Sequence, residues 1–68
     1  MIVTIVNINN NIKIFSSVIT HRYMSESNTL KIETKKAMLT VDNVRHFNVF
    51  LNNGKEIFSA QNLDKGFD

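Results

Sequence analysis

Apolar and polar residues alternate with a period of two along most of the chain, the spacing of strands that turn successive side chains to opposite faces. Ile2, Thr4, Val6 and Ile8 share one face of the first segment and Val3, Ile5 and Asn7 the other, so both faces begin apolar, as in a covered strand. A turn at Asn9 to Asn11 leads into Ile12 to Phe15, and a further extended segment covers Val18 to Tyr23. Ser25-Glu26-Ser27-Asn28 interrupts the pattern, after which Leu30 and Ile32 point one way and Lys31 and Glu33 the other, the pattern of a half-buried strand. Lys35-Lys36 reads as the next turn or edge. Residues 37 to 51 admit two readings. Ala37, Val41 and Val44 have helical spacing behind a Thr34 N-cap, whereas Leu39/Val41 and Phe47/Val49/Leu51 alternate as two strands about a turn at Asp42-Asn43. Two strands are preferred, because Thr40, Val41, Val44 and Val49 are poor helix residues. The tail from Gln61 to Asp68 has only Leu63 and Phe67 to bury, and frays or makes one helical turn ending at Gly66.

One stretch occurs twice. Asn9-Asn10-Asn11-Ile12-Lys13-Ile14-Phe15-Ser16-Ser17 returns as Asn52-Asn53-Gly54-Lys55-Glu56-Ile57-Phe58-Ser59-Ala60, each copy following an apolar alternation. Asn-Asn and Asn-Gly tolerate the positive φ of tight hairpin turns, so two similar β-hairpins bracket the protein. The expected fold is all-β: a small antiparallel meander or rolled, barrel-like sheet of six or seven short strands. It forms one domain over residues 1–60, with 61–68 as a C-terminal tail. Its core is drawn from Val3, Ile5, Val6, Ile8, Ile14, Phe15, Leu30, Ile32, Leu39, Val41, Phe47, Val49, Leu51, Ile57 and Phe58.

Composition supports that fold. Ile, Val and Thr number 19 against six for Ala and Leu together, and the ten Asn cluster where the alternation pauses. With 68 residues and no Cys, the chain has neither disulfide nor thiolate cage to supplement a marginal core. It also lacks Pro to blunt its sheet edges. Self-association as a homodimer or higher oligomer is therefore expected. The N-terminal apolar run is broken by Asn7 and by Asn9 to Asn11, with no basic region before it and no apolar run of about 18 residues. The expectation is a cytoplasmic protein that does not engage a membrane. Net charge is only +2, although all six acidic residues lie from Glu26 onward.

Few residues point to chemistry. Thr20-His21-Arg22-Tyr23 and Val44-Arg45-His46-Phe47 mirror one another; on neighbouring antiparallel strands they would gather Arg, His and aromatic rings, as on surfaces that hold phosphates and stack bases. Arg22, Arg45, Lys35 and Lys36 are accordingly the candidate nucleic-acid contacts of an alternative reading. That reading competes with a simpler one in which Tyr23 and Phe47 enter the core. His21 and His46 have no HxH or HxxxH spacing to hold a metal, the serines have no GxSxG elbow, and the two glycines form no phosphate loop. No cofactor and no catalysis are expected. The favoured reading is a protein-protein interaction module for a protein partner of unknown identity. Phe47, Val49 and Leu51 face one way, which leaves Phe50 with His46 and Asn48 on the other face; Phe50 and Tyr23 are the candidate interface residues.

Residues 47–57, Phe-Asn-Val-Phe-Leu-Asn-Asn-Gly-Lys-Glu-Ile, resemble the strand-turn-strand of small barrels such as the Sm-like RNA-binding proteins. The chain departs from that family in having no N-terminal helix and in ending soon after the hairpin, so no binding residue carries over. In composition, length and strand pattern the chain resembles the small Asn/Ile/Lys-rich accessory proteins of phages, prophages and mobile elements of AT-rich bacteria. That resemblance implies a protein that acts by binding a macromolecule of host or phage.

Overall fold

The computed structural model describes residues 1–63 and is all-β. Seven strands follow in order: β1 (Ile2–Asn7), β2 (Ile12–Phe15), β3 (Val18–Met24), β4 (Thr29–Thr34), β5 (Met38–Asp42), β6 (Val44–Phe50) and β7 (Glu56–Ala60). Every pairing is antiparallel, and the strands form a four-stranded sheet ordered β2-β1-β6-β7 and a three-stranded sheet ordered β3-β4-β5. Neither sheet closes into a barrel. Residues 38–50 are two strands, as the alternation favours, and Thr34 ends β4. Its hydroxyl accepts the Ala37 and Lys36 amides at 3.2 and 3.3 Å, stabilising the turn into β5. The helical turn expected to end at Gly66 lies outside the described residues; within the tail, Leu63 packs against the core.

Asn supplies the left-handed backbone of the turns. Asn10 (φ 64°), Asn28 (φ 52°) and Gly54 (φ 90°) sit in the β1–β2, β3–β4 and β6–β7 hairpins. The two repeated hairpins share a hydrogen-bond pattern. The Asn7 amide donates to the Asn11 carbonyl and Asn10 back to Asn7, as Leu51 donates to Lys55 and Gly54 back to Leu51, all at 2.8–3.0 Å.

The chain changes sheet at two corners built alike. At the first, Ser17 (φ 56°) is followed by buried Val18 and then Ile19, an extra residue opposite no partner on β4. At the second, Asn43 (φ 56°) is followed by buried Val44 and then Arg45, an extra residue that the register between β1 and β6 skips. Each valine also joins the sheets through its backbone. Val18 pairs with Thr34 of the three-stranded sheet and exchanges two hydrogen bonds with Met1, at 2.9 and 3.0 Å. Val44 pairs with Asn7 of the four-stranded sheet, and its amide faces the Asn28 carbonyl at 3.4 Å.

The extra residues explain where the core departs from simple alternation, because one inserted residue exchanges the faces on either side of it. Without the bulge at Ile19, Val18 would face solvent and Ile19 the core; instead Val18 is buried and Ile19 is exposed. The same inversion buries Val44. A third bulge at Ile57 sets Phe58 opposite Val49, on the core-facing side, while Glu56 stays opposite Phe50 on the outer side. The buried core is Val3, Ile5, Val18, Leu30, Ile32, Val41, Val44, Phe47 and Val49, with Phe15, Tyr23 and Leu39 packed against it. Ile8, Ile14, Leu51, Ile57 and Phe58, expected in the core, are exposed, and Val6 is half-buried. Ile8 and Leu51 lie just past strand ends, Ile57 is the bulge residue, and Ile14 points to the outer face of an edge strand.

Phe47 is the centre of this core, 1% exposed, and meets rings from both sheets: His21 at 6.2 Å, Tyr23 at 5.9 Å and Phe58 at 5.5 Å between centroids. Truncation of Phe47 to Ala is expected to cost about 3–5 kcal/mol, enough to unfold so small a domain. Phe58→Ala, at a half-exposed edge position, costs visibly less. Urea titrations followed by circular dichroism at fixed protein concentration measure both.

Candidate functional site

The two outer faces differ. On the three-stranded sheet, the side chains directed away from the core form cross-strand rows of Arg22, Lys31 and Thr40 and of Thr20, Glu33 and Met38. The Thr20 hydroxyl donates to the Glu33 carboxylate at 3.2 Å. That face is suited to water.

The outer face of the four-stranded sheet is mostly apolar on its β2 and β1 side. Because Val3 and Ile5 face the core, Ile2, Thr4 and Val6 face out, and the register places Ile2 beside Phe50, Ile14 beside Thr4, and Ile12 beside Val6. Ile12 and Ile14 are each 67% exposed, and Ile2, Val6 and Phe50 are half-buried. Toward β7 the face becomes polar: the Asn48 amide donates to the Glu56 carboxylate and, at 3.3 Å, to the Ser59 hydroxyl, which also accepts from Gln61 at 3.2 Å. The face thus joins an apolar field to a hydrogen-bonded polar border.

Phe50 therefore lies on this face, as alternation along β6 indicates. Tyr23 does not. Its ring lies in the inter-sheet aromatic cluster, its hydroxyl donates to Asn28 Oδ1 at 2.7 Å, and burial pushes the phenol above its ordinary pKa. Asn28 is itself buried, so this hydrogen bond gives its side-chain oxygen a partner within the fold.

The two Arg/His clusters do not meet on one surface. They lie on β3 and β6, strands of different sheets, and His21 turns inward to Phe47 and Phe58. Arg22 is exposed on the outer face of the three-stranded sheet. Arg45 reaches across the second corner, where its guanidinium donates to Asn10 Oδ1 and to the Ile8 carbonyl at 2.9 Å, tying the first hairpin to β6. Lys35 and Lys36 are exposed at the β4–β5 turn. Among the described residues no group of three or more His, Cys, Asp and Glu side chains could hold a metal ion, and no helix is long and apolar enough to cross a membrane. Comparison with protein-family models, curated proteins and solved structures finds no match.

Ile12 and Ile14 are the surface residues that sequence reasoning misses. Their alternation with Lys13 is legible, but which face is covered depends on pairing with β1. The buried phenol gives a check of the inner geometry. Tyr23→Phe leaves Asn28 Oδ1 without its donor and is expected to cost about 0.5–1.5 kcal/mol. Separately, the folded-state pKa raised by desolvation means the unfolded chain releases the phenol proton first, so the stability linked to the protonated phenol is complete below about pH 10 and is lost as pH rises through the folded value. The alkaline loss of stability is expected to be smaller in Tyr23→Phe than in the parent, measured by denaturant titration on both sides of that value.

Proposed function

We propose that this protein is a non-catalytic protein-protein interaction module that self-associates through the outer face of its four-stranded sheet. The observation that carries the reading is the contrast between the two outer faces: Ile12, Ile14, Val6, Ile2 and Phe50 adjoin on one, while on the other Met38 stands among Arg22, Lys31, Glu33, Thr20 and Thr40.

A second copy is the occupant that fits the face best. Among the described residues the core has nine buried apolar side chains, a small reserve for a chain of this length, and further apolar burial stabilises at roughly 25 cal/mol per Å². A two-fold arrangement sets the apolar field of one copy on that of the other and leaves the Asn48, Glu56, Ser59 and Gln61 border in water. This sheet-on-sheet packing uses the spacing of about 10 Å found in β-sandwiches. A small accessory protein of a phage or mobile element, acting by binding a macromolecule, is the setting in which such a module would serve, and the chain's composition supports that setting. The arginines offer less to a nucleic-acid reading, because Arg22 and Arg45 lie on different sheets and Arg45 is engaged within the fold.

Sedimentation equilibrium at micromolar concentrations tests the proposal. The parent chain is expected to run above its monomer mass of 7.8 kDa. Ile14→Lys, at an exposed position, is expected to give a folded monomer, and Phe50→Ala to weaken association by about 1–2 kcal/mol or more with a smaller effect on monomer stability. A parent chain that stays monomeric throughout, or an Ile14→Lys chain that associates as the parent does, overturns the proposal.

A further inference from the structure

A second feature lies away from the apolar face. The β2–β3 corner and the β4–β5 turn lie together, because Val18 pairs with Thr34, and between them is an open depression lined by Ser16, Ser17, Thr34, Lys35 and Lys36. Its volume, about 340 Å³, is at the small end of ligand sites, which run from about 300 to 1,000 Å³. The residues that line it are two lysines, two serines and one threonine, with no carboxylate among them.

Among the described residues, no hydrogen bond of the fold uses the Ser16 or Ser17 hydroxyl. Thr34 Oγ1 holds the β4–β5 turn through Ala37 and Lys36. Among the described residues, no carboxylate binds Lys35 or Lys36. Glu33, next to Thr34 in the chain, faces the outer side of the three-stranded sheet, where Thr20 donates to it at 3.2 Å. Ser17 stands in a conformation that it is poorly suited to hold. Among the described residues five non-glycine residues have positive φ; Asn10, Asn28, Asn43 and Asn62 are of the type that tolerates it best, and Ser17 is the exception. The equivalent position of the second corner is Asn43. A less suitable residue kept at a strained position is a reason to look for a role for its side chain.

We propose that this depression binds a phosphate dianion, either free or as the terminal group of a small phosphomonoester. Two lysines match the charge of a dianion, and serine hydroxyls donate to its oxygens. The charge balance also separates phosphate from weaker anions: near pH 5 phosphate is a monoanion and is held less tightly, whereas sulfate remains a dianion. An extended polyanion has less to recommend it, since the arginines lie elsewhere.

Titration of ¹⁵N-labelled protein with sodium phosphate at constant ionic strength reads the site directly. Saturable shifts of the Ser16, Ser17, Lys35 and Lys36 amides are expected, without shifts at Ile12 and Ile14. Lys35→Gln and Lys36→Gln, both at exposed turn positions, are each expected to weaken binding about tenfold or more. Ser17→Gly is expected to raise the melting temperature and to weaken phosphate binding, a pair of opposite effects that a purely structural role would not produce. Glycerol 1-phosphate distinguishes the sources: tighter binding than inorganic phosphate identifies an ester as the ligand, and equal or weaker binding identifies the free ion. Shifts that grow linearly, that sodium chloride reproduces, or that survive in the doubly substituted Lys35→Gln/Lys36→Gln chain overturn the proposal. Binding of a single-stranded oligonucleotide tighter than that of either phosphate would overturn it in favour of a nucleic-acid surface.

Discussion

The structure depends on a constraint of the pleat. A strand presents alternate residues to alternate faces, so a chain that passes from one sheet to another must change which residues face the core. This protein makes that change with one device used twice: a residue in the left-handed region, a buried valine, and a residue that the strand register skips. Ser17-Val18-Ile19 and Asn43-Val44-Arg45 carry the chain between sheets, and each valine is bonded through its backbone to both. Corners made by bulges or bends are how packed sheets exchange strands, and here they replace the longer loops that a chain of this size lacks.

The rest of the fold follows. With Val18 and Val44 turned inward, β3–β5 can lie over β1 and β6, and Phe47 meets His21 and Tyr23 from the opposite sheet. The bulge at Ile57 completes the cluster by turning Phe58 inward. The pairing of β1 with β6 closes a loop that holds β2 to β5, so contacts distant in sequence join the four-stranded sheet. Such non-local pairing favours slow folding relative to a helical chain of equal length. It also determines the outer face: once Val3, Ile5, Phe47 and Val49 are committed inward, Ile2, Val6 and Phe50 have only the other side to occupy.

Sequence reasoning reaches the strands and turns because they follow from local chemistry. Period-two alternation marks the strands, and Asn-rich pauses mark Asn9 to Asn11 and Asn52 to Lys55. The bulges are not local in that sense. Ile19 and Ile57 have the character of neighbouring strand residues, and only the partner strand determines that they face no one. Val18 and Val44 are therefore absent from the expected core, while Ile57 is wrongly included. The candidate surface divides along the same line. Phe50 is legible because alternation within β6 fixes its face, whereas Ile14, counted as core from its strand alone, faces outward because of its pairing with Thr4 on an edge strand. Tyr23, read as a candidate for the interface, packs inward because His21 and Tyr23 share the core face of β3.

Deletion of single residues tests the bulge account most directly. Removal of Ile57 leaves Phe58 opposite Val49 and Glu56 opposite Phe50 in an unbroken ladder, and removal of Ile19 leaves Val18 and Thr20 consecutive opposite Thr34 and Glu33. Both chains are expected to unfold cooperatively and to retain nuclear Overhauser contacts between Phe47 and Phe58. Removal of Asn48, a regularly paired residue of β6, inverts one half of that strand relative to the other and is expected to abolish the fold. If deletion of Ile57 or Ile19 proved as damaging as deletion of Asn48, or if the Phe47–Phe58 contacts vanished from folded chains lacking Ile57, the account of the corners and the core would be wrong.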